Sequence, residues 1–224
     1  MEIIALLPMK GNSERVPNKN LRLFNGRPLY HVVLSELLKS KYITKVAINT
    51  DSEKIKADVN EHFPSVIIID RPVEIQGDFV PMNDIIAYDM EQLPADIYVQ
   101  THSTNPLLLA ETLDKGIELF LSEKEKIDSV FSVTRLQTRL YWKDGKPVNH
   151  NPAELLRTQD LPPVFEENSN FYIFTKDSFV KAGNKRIGLN PVMIEVDKLE
   201  AADIDEPQDF IIAELLHKQR ENSK

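Results

Sequence analysis

The chain has 224 residues, of which 42% are hydrophobic, and it carries a formal net charge of −8 and no cysteine. This length suits one large domain with a substantial core, and the lack of cysteine excludes disulfides, thiol nucleophiles and thiolate metal sites. An acidic chain without a long basic stripe is a poor candidate for nucleic-acid binding, and no apolar run approaches the ~20 residues that cross a membrane. The lack of cysteine fits a reducing cytoplasm, and the first residues lack the pattern of a secretory signal, so we expect a cytoplasmic protein.

Short apolar runs alternate with amphipathic segments along the chain. The runs predict strands at Glu2–Leu7, Lys45–Asn49, Val66–Ile69, Ile97–Gln100, Ser129–Thr134, Asn170–Phe174 and Val192–Val196. The segments between them predict helices over Pro28–Ser40, Ser52–Phe63, Met82–Leu93, Ala110–Glu125 and Gln208–Lys218. This order predicts an α/β fold with a mostly parallel central sheet and helices on both faces.

The closing helix is predicted to face the core through its apolar residues. These are Phe210, Ile211 and Leu215, together with Ile212. Residues 221–224 are predicted to fray, as chain ends commonly do.

The alternation stops between Leu136 and Glu167, a stretch with four prolines and the only tryptophan. So long a connection is uncommon in a compact domain unless it is functional. Asp144-Gly145 predicts a hairpin turn within it. The stretch is either an extended arm or a mobile surface loop, and its large apolar residues favour the arm. We therefore expect a single domain over residues 1–224, with an arm at 136–167.

A basic loop follows the first predicted strand. Residues 1–27 carry a net charge of +3, whereas the whole chain carries −8. Positive charge gathered against the overall sign indicates an anion site, although a solvated polar turn is the simpler alternative. The candidates within the loop are three cations, two small polar donors and a glycine that permits close backbone approach, namely Lys10, Arg15, Lys19, Asn12, Ser13 and Gly11.

Several common enzyme classes find no support in the sequence. The chain has no Gly-x-x-x-x-Gly-Lys-Ser/Thr phosphate loop, no Gly-x-Gly-x-x-Gly turn and no Gly-x-Ser-x-Gly elbow. Its five histidines show no His-x-x-x-His spacing. Hydride transfer by a typical dinucleotide enzyme, serine hydrolysis and zinc hydrolysis are therefore disfavoured.

Asp203 and Asp205 are the candidate metal ligands. In an extended segment, residues two apart face the same side, so both carboxylates can share one Mg²⁺. The alternative for Asp205 is a helix cap, because Gln208 follows three residues later. Capping does not explain Asp203. Asp209 is read as favourable charge in the first helical turn.

Two of these motifs carry a family resemblance. Gly11-Asn12-Ser13…Pro17-Asn18-Lys19-Asn20 and Asp203-Ile204-Asp205 resemble signatures of the acylneuraminate cytidylyltransferases, which activate sialic acid and related sugars. Between them, the family's order is kept by Arg71-Pro72, Gln100, Ser129-Val130 and Leu161-Pro162. The resemblance implies a Rossmann-like nucleotidyltransferase fold, transfer of CMP from CTP to an acidic nine-carbon 2-keto sugar, Mg²⁺ as cofactor, and a homodimer formed through the arm.

The resemblance also implies roles for individual residues. Lys10, Lys19, Asp203 and Asp205 would be catalytic, and the two aspartates would bind the metal. Nucleotide contacts would come from Lys10, Gly11, Asn12, Ser13, Arg15, Lys19, Asn20 and Arg71, with Asn20 at the ribose and Arg71 at the cytosine. Sugar contacts would come from Gln100, Arg139, Arg157, Phe165 and Tyr172. Without the resemblance, a core position is the preferred interpretation of the two aromatic residues.

The chain departs from the family pattern at some positions. Lys10 stands where the family usually has Arg, and Glu14 where it has Lys. The stretch after Gln100 reads Thr-His-Ser-Thr-Asn-Pro instead of Pro-Thr-Ser-Pro, so the sugar pocket is expected to differ. The alternatives are a cytidylyltransferase for 3-deoxy-octulosonate or another sugar, and a non-catalytic nucleotide-binding protein on the same fold.

Overall fold

Strands and helices alternate along residues 1–222, the part of the chain that the computed structural model describes. The strands are β1 (Ile3–Leu6), β2 (Leu23–Phe24), β3 (Arg27–Pro28), β4 (Lys45–Thr50), β5 (Ile67–Asp70), β6 (Ile97–Thr101), β7 (Ser129–Leu136), β8 (Val164–Phe174) and β9 (Pro191–Glu195). The helices are α1 (Leu29–Lys39), α2 (Glu53–His62), α3 (Met82–Gln92), α4 (Ala110–Glu123), α5 (Lys176–Lys181) and α6 (Pro207–Asn222). None of these helices is both long and apolar enough to cross a membrane.

Seven of these strands form the central sheet, in the order β5-β4-β1-β6-β8-β7-β9. All neighbours are parallel except at β8, which runs antiparallel to both β6 and β7. Strands β2 and β3 form a separate two-stranded ribbon before α1. The prediction of a mostly parallel sheet is confirmed.

Helices cover both faces of the sheet, as predicted. On one face α1, α2 and α4 bury residues such as Leu34, Ile55 and Ile117 against β1 and β4. On the other face α3 and α5 bury Ile86 and Phe179. Both sets are almost fully excluded from solvent, so each face of the sheet carries a packed apolar layer.

A third apolar cluster joins the two motifs that the sequence singled out. Val16 of the basic loop, Ile204 between the two aspartates, and Phe210 of α6 pack together with Phe24 and Leu29. Val16 and Ile204 are fully buried. Because burial of these apolar side chains fixes the backbone on either side, the basic loop and the Asp203–Asp205 segment are brought together.

The closing helix differs from its prediction. Phe210 is buried, but Ile211, Ile212 and Leu215 are more than half exposed. The buried positions are Phe210, Ala213 and His217, which follow helical spacing along a narrow contact with the β2–β3 ribbon. The contact is narrow because α6 packs on that ribbon and the basic loop instead of on the wide face of the sheet. The predicted fraying falls partly on residues 223–224, which lie outside the described residues.

The strands β7 and β8 are longer than predicted because they pair with each other as they leave the sheet. The pairing continues to Leu136 opposite Val164. Residues 137–163 then form the long connection that the sequence predicted between Leu136 and Glu167. Its tip is a hairpin turn in which Gly145 has φ +82°. The Trp142 N–H donates a hydrogen bond to the Lys146 carbonyl at 2.8 Å. The turn predicted at Asp144-Gly145 is confirmed.

Candidate active site

A cleft of about 250 Å³ opens at the carboxyl ends of the parallel strands. This is the edge at which α/β proteins bind ligands. Its lining comes from the loops after β1, β5 and β6, and includes Lys10, Ser13, Lys19, Asn20, Arg71, Asp78, His102, Ser103 and Thr104. Five of the sequence-predicted nucleotide residues therefore share one cavity.

A larger cavity, of about 610 Å³, lies at the opposite edge of the sheet. It is lined by residues such as Met1, Asp96 and Asn190, near the amino ends of β1, β6 and β9. None of the predicted site residues reaches it. Chemistry, and not cavity size, therefore locates the candidate site.

Gly11 sets the position of the basic loop against the end of β4. Its N–H donates to Asp51 Oδ1 at 2.7 Å. A Cβ at this position would lie 2.8 Å from the Ser52 Cβ. The glycine thus permits a close approach between two protein loops, while Asn12 beside it is exposed to solvent.

The three cations of the loop have acidic or carbonyl partners. Lys10 forms an ion pair with Asp78, and Arg15 donates to Asp205 at 2.7 Å. Lys19 Nζ donates to the Ile204 carbonyl at 2.7 Å. Burial lowers the pKa of Lys19, while Asp203 and Asp205 oppose that shift. Lys19 therefore sits in the field of both predicted metal ligands.

The two aspartates lie close enough to affect each other. Desolvation by its surroundings raises the pKa of Asp203, and the charge of Asp205 adds to the shift, while a hydrogen bond from Thr104 opposes it. Its side chain nevertheless remains open to solvent. Two carboxylates held together in this way favour a shared cation.

Asp209, and not Asp205, satisfies the backbone before α6. The Asp209 carboxylate accepts from the N–H groups of Asp205 and Glu206, at 3.1 and 2.7 Å. The Asp205 carboxylate bonds to Arg15 instead. The capping alternative for Asp205 is therefore wrong, and Asp209 is more than a charge in the first helical turn.

Arg71 is held by a buried chain of polar side chains. It is only 6% exposed, and its Nε donates to Asn49 Oδ1 at 2.6 Å. The Asn49 amide in turn donates to Asp89 Oδ1 at 2.6 Å. Burial lowers the pKa of Arg71 and raises the pKa of Asp89 to about 7. Asp89 and Asn49 thus orient the guanidinium that lines the cleft.

Asn20 ties two of the cleft loops together. Its Nδ2 donates to the Lys10 carbonyl at 3.0 Å, and its Oδ1 accepts from the Ser103 hydroxyl at 2.6 Å. The side chain is buried although it borders the cleft. Its two polar atoms are engaged by protein, so Asn20 positions the loops around any ligand.

Two of the predicted sugar residues lie behind the cleft, beside an arginine that sequence reasoning missed. Gln100 and Tyr172 are buried opposite each other on β6 and β8. Gln100 Oε1 accepts from Arg186 at 2.5 Å, and the Arg186 guanidinium lies 4.0 Å from the centre of the Tyr172 ring. Arg186 belongs to the loop between α5 and β9, which carries no strand-end or motif signal.

The remaining predicted sugar residues stay on the arm or at its base. Arg139 donates to the Leu156 carbonyl, and Arg157 forms two hydrogen bonds with Asp160, at 2.6 and 3.0 Å. Phe165 is 38% exposed. Within residues 1–222, these side chains do not reach the cleft, and Phe165 is not a core residue.

A separate group of potential metal ligands lies between α1 and α2. His31, Asp58 and His62 are clustered there, away from the cleft. Asp58 accepts from His31 at 2.6 Å and also from Tyr30. These hydrogen bonds account for the cluster as a contact between the two helices.

Nearly the whole sequence matches a known protein family. The cytidylyltransferase family matches residues 4–220. The chain belongs to that family. Among its relatives, N-acylneuraminate cytidylyltransferase A of Danio rerio is 29% identical, over 95% of this chain and 50% of the zebrafish protein. The CMP-N,N'-diacetyllegionaminic acid synthase of Legionella pneumophila is 26% identical, over 96% of each chain.

Solved structures show the same fold. The structure of a CMP:2-keto-3-deoxy-manno-octonic acid synthetase complexed with CTP matches with a TM-score of 0.71, covering 98% of this chain and all of the other. The identity is 12%, so the likeness concerns the fold alone. The Rossmann-like nucleotidyltransferase fold that the resemblance implied is confirmed.

Proposed function

We propose that this cytidylyltransferase transfers CMP from CTP to the anomeric hydroxyl of an acidic nine-carbon 2-keto sugar, releasing pyrophosphate. The observation that supports this most is the convergence of three loops at one cleft. They place Lys10, Lys19 and Arg71 around a cavity whose electrostatic neighbours are Asp203 and Asp205. Nucleotidyl transfer needs such cations for the triphosphate and carboxylates for Mg²⁺.

Two groups of cleft residues would contact different parts of the nucleotide. Lys10 and Lys19, with Ser13, would contact the phosphates, because they lie on the basic loop. Arg71 would contact the base, since its other nitrogens are held by Asn49 and Met9 while Nη1 has no partner among residues 1–222. A fixed guanidinium edge of this kind suits the acceptors of a pyrimidine.

The residues Asp203 and Asp205 fit Mg²⁺. Both offer carboxylate oxygens, and their mutual repulsion would be relieved by a cation. Arg15 would then exchange part of its contact with Asp205 for the phosphates. When bound, the ion neutralises triphosphate charge and lowers the pKa of a nearby hydroxyl.

The reaction would proceed by positioning and charge stabilisation. The sugar hydroxyl would attack the α-phosphorus, and the bond from that phosphorus to the β-bridging oxygen would break. Lys10 and Lys19 would stabilise the departing pyrophosphate. No described side chain in the cleft is poised as an obligate base, and the hydroxyl proton would pass to solvent.

A pyrophosphate-release assay tests the proposal. The protein is incubated with CTP, Mg²⁺ and, in turn, sialic, legionaminic, pseudaminic and 3-deoxy-octulosonic acids. We expect release with at least one nine-carbon acid, and only when both CTP and sugar are present. Release with the eight-carbon acid alone would favour the octulosonate alternative. Binding of CTP without release from any sugar would favour the non-catalytic alternative.

A further inference from the structure

Arg186 is a cation held rigidly beside the cleft. Its guanidinium lies over the face of Tyr172 at 4.0 Å, and Nη1 donates to Gln100 Oε1 at 2.5 Å. The same nitrogen is 3.4 Å from His102 Nε2. Stacking on an aromatic ring and a hydrogen bond in the guanidinium plane together fix the orientation of the group.

The charge of Arg186 has no matching carboxylate within the described chain. No acid of residues 1–222 lies within ion-pair distance of it. Glu167 lies in its field but accepts the hydrogen bond from the Tyr172 hydroxyl. Burial lowers the pKa of Arg186, yet an arginine remains charged in proteins. A partly desolvated cation without a partner is costly, so an anion is expected from outside the chain.

The surroundings leave one edge of Arg186 available. Its Nε and Nη2 donate to no residue among 1–222, and neither is enclosed. His102 lines the cleft and lies 3.4 Å from Arg186 Nη1, so a single side chain separates the guanidinium from the cleft. Burial lowers the pKa of His102 to about 3, so this histidine is neutral and adds no charge of its own.

We propose that Arg186 binds the carboxylate of the acidic sugar and so selects acidic sugars as acceptors. This inference rests on the proposed function. A single guanidinium matches a monoanionic, planar carboxylate, which accepts two parallel hydrogen bonds from a guanidinium edge. A phosphate dianion would call for more than one cation. The arm arginines Arg139 and Arg157 are engaged by Leu156 and Asp160, away from the cleft.

The experiment compares Arg186→Gln and Arg186→Lys with the wild-type protein. Initial rates are measured while the concentration of the best acidic sugar, and then that of CTP, is varied. We expect Arg186→Gln to raise the sugar KM roughly 10- to 100-fold, since a hydrogen bond to a charged group contributes ~1.5–3 kcal/mol. The CTP KM should stay within about twofold of the wild-type value. The sugar KM of Arg186→Lys should lie between those of the wild-type protein and Arg186→Gln, because lysine keeps the charge but cannot form two parallel hydrogen bonds.

A matched control and an altered substrate sharpen the test. Lys185→Gln removes an adjacent exposed charge and should leave both constants unchanged. The carboxamide of the same sugar should be as poor for wild-type protein as the acid is for Arg186→Gln. For Arg186→Gln, the sugar KM should be the same with the carboxamide as with the acid. A sugar phosphate should not replace the acid. Circular dichroism and CTP calorimetry confirm that each variant is folded.

The outcomes separate the inference from the function on which it rests. If the wild-type protein releases no pyrophosphate with any acidic sugar, the proposed function fails. If it does and Arg186→Gln keeps a normal sugar KM, only the role of Arg186 is overturned. The same conclusion follows if the variant raises the CTP KM instead, or if the acid and the carboxamide differ equally for both proteins.

Discussion

Asp203 and Asp205 are separated by one residue and have different neighbours. Asp203 lies near Lys19 and Thr104, whereas Asp205 contacts Arg15 at the surface. Ile204 between them is fully buried and anchors the segment. Because the anchor is apolar and both aspartates are exposed, either carboxylate can be neutralised without disturbing the core.

Asp205→Asn should therefore lower turnover while leaving the fold intact. We expect a loss of at least about tenfold in kcat/KM, or ~1.4 kcal/mol, because a neutral amide is a poor ligand for Mg²⁺. Kinetics at saturating and limiting Mg²⁺ measure the loss. Glu206→Gln is the matched control, because Glu206 also contacts Arg15, at 3.4 Å, but is not a proposed ligand. Equal effects of the two variants would mean that Asp205 serves Arg15 and not a metal.

Asp89 should make stability depend on pH. Burial raises its pKa from 3.8 to about 7 in the folded protein. Between those values the unfolded chain has lost this proton while the folded chain keeps it. Stability therefore falls as pH rises through this interval, by at most about 1.4 kcal/mol per pH unit.

Asp89→Asn should remove most of that slope, because the amide stays neutral and can still accept from Asn49. Urea unfolding at several pH values from about 4 to about 8 measures the slope. Asp84→Asn, an exposed acid on the same helix, should leave the slope unchanged. A slope that survives Asp89→Asn would assign the pH dependence to other groups.

At the scale of elements, the contact between α4 and β8 has no spare space. A Cβ at Gly116 would lie 2.6 Å from Phe171 Cε2 and 3.0 Å from Ile173 Cδ1. Gly116→Ala should therefore destabilise the fold by about 1–2 kcal/mol, since overpacking costs ~1–3 kcal/mol and the helix gains up to ~1 from alanine. Thermal or urea unfolding measures this loss. Lys115→Ala, at an exposed position of the same helix, is the control and should leave the free energy of unfolding unchanged. A Gly116→Ala variant more stable than the wild-type protein would show that the side chains of β8 can move.

The sequence predicted best those elements whose apolar residues recur with a clear helical or strand periodicity. Helices α1 to α4 and the parallel strands fall within a few residues of their predictions, because each buries a continuous face or run. The insertion of β8 between β6 and β7 was not predictable, since no local pattern encodes the partner of a strand. The exposure of Ile211 and Leu215 was missed for the same reason.

The candidate site was predictable where a motif carried it. Lys10, Lys19 and Arg71 meet in the cleft, and the Asp203–Asp205 segment lies close by, because these residues sit at strand ends or beside an apolar anchor. Arg186 and Asp89 could not be predicted. One lies on a loop without a motif, and the other faces inward from α3, so that only tertiary contacts give either residue its role.

At the scale of the whole molecule, the arm and helix α6 each expose several large apolar side chains. The arm presents Trp142, which is 64% exposed, and Leu155, which is 93% exposed. Helix α6 presents Ile211, Ile212 and Leu215, each more than half exposed. Exposed apolar patches commonly mark protein–protein contacts. We propose that the arm, which also carries Arg139 and Arg157, forms the interface of a homodimer.

Deleting Tyr141–Pro152 should convert the dimer into a monomer, because the deletion removes Trp142 and the hairpin tip. Sedimentation measures the mass, and calorimetry with CTP and with the sugar measures the two affinities. If the arm also completes the neighbouring sugar site, the sugar affinity should fall more than the CTP affinity.

Leu155→Ser is a milder variant that should weaken the dimer, and Leu215→Ser on α6 is its matched control. A wild-type monomer with full activity would refute the proposal, and dissociation by Leu215→Ser alone would move the interface to α6, since a two-fold contact buries the same patch on both subunits.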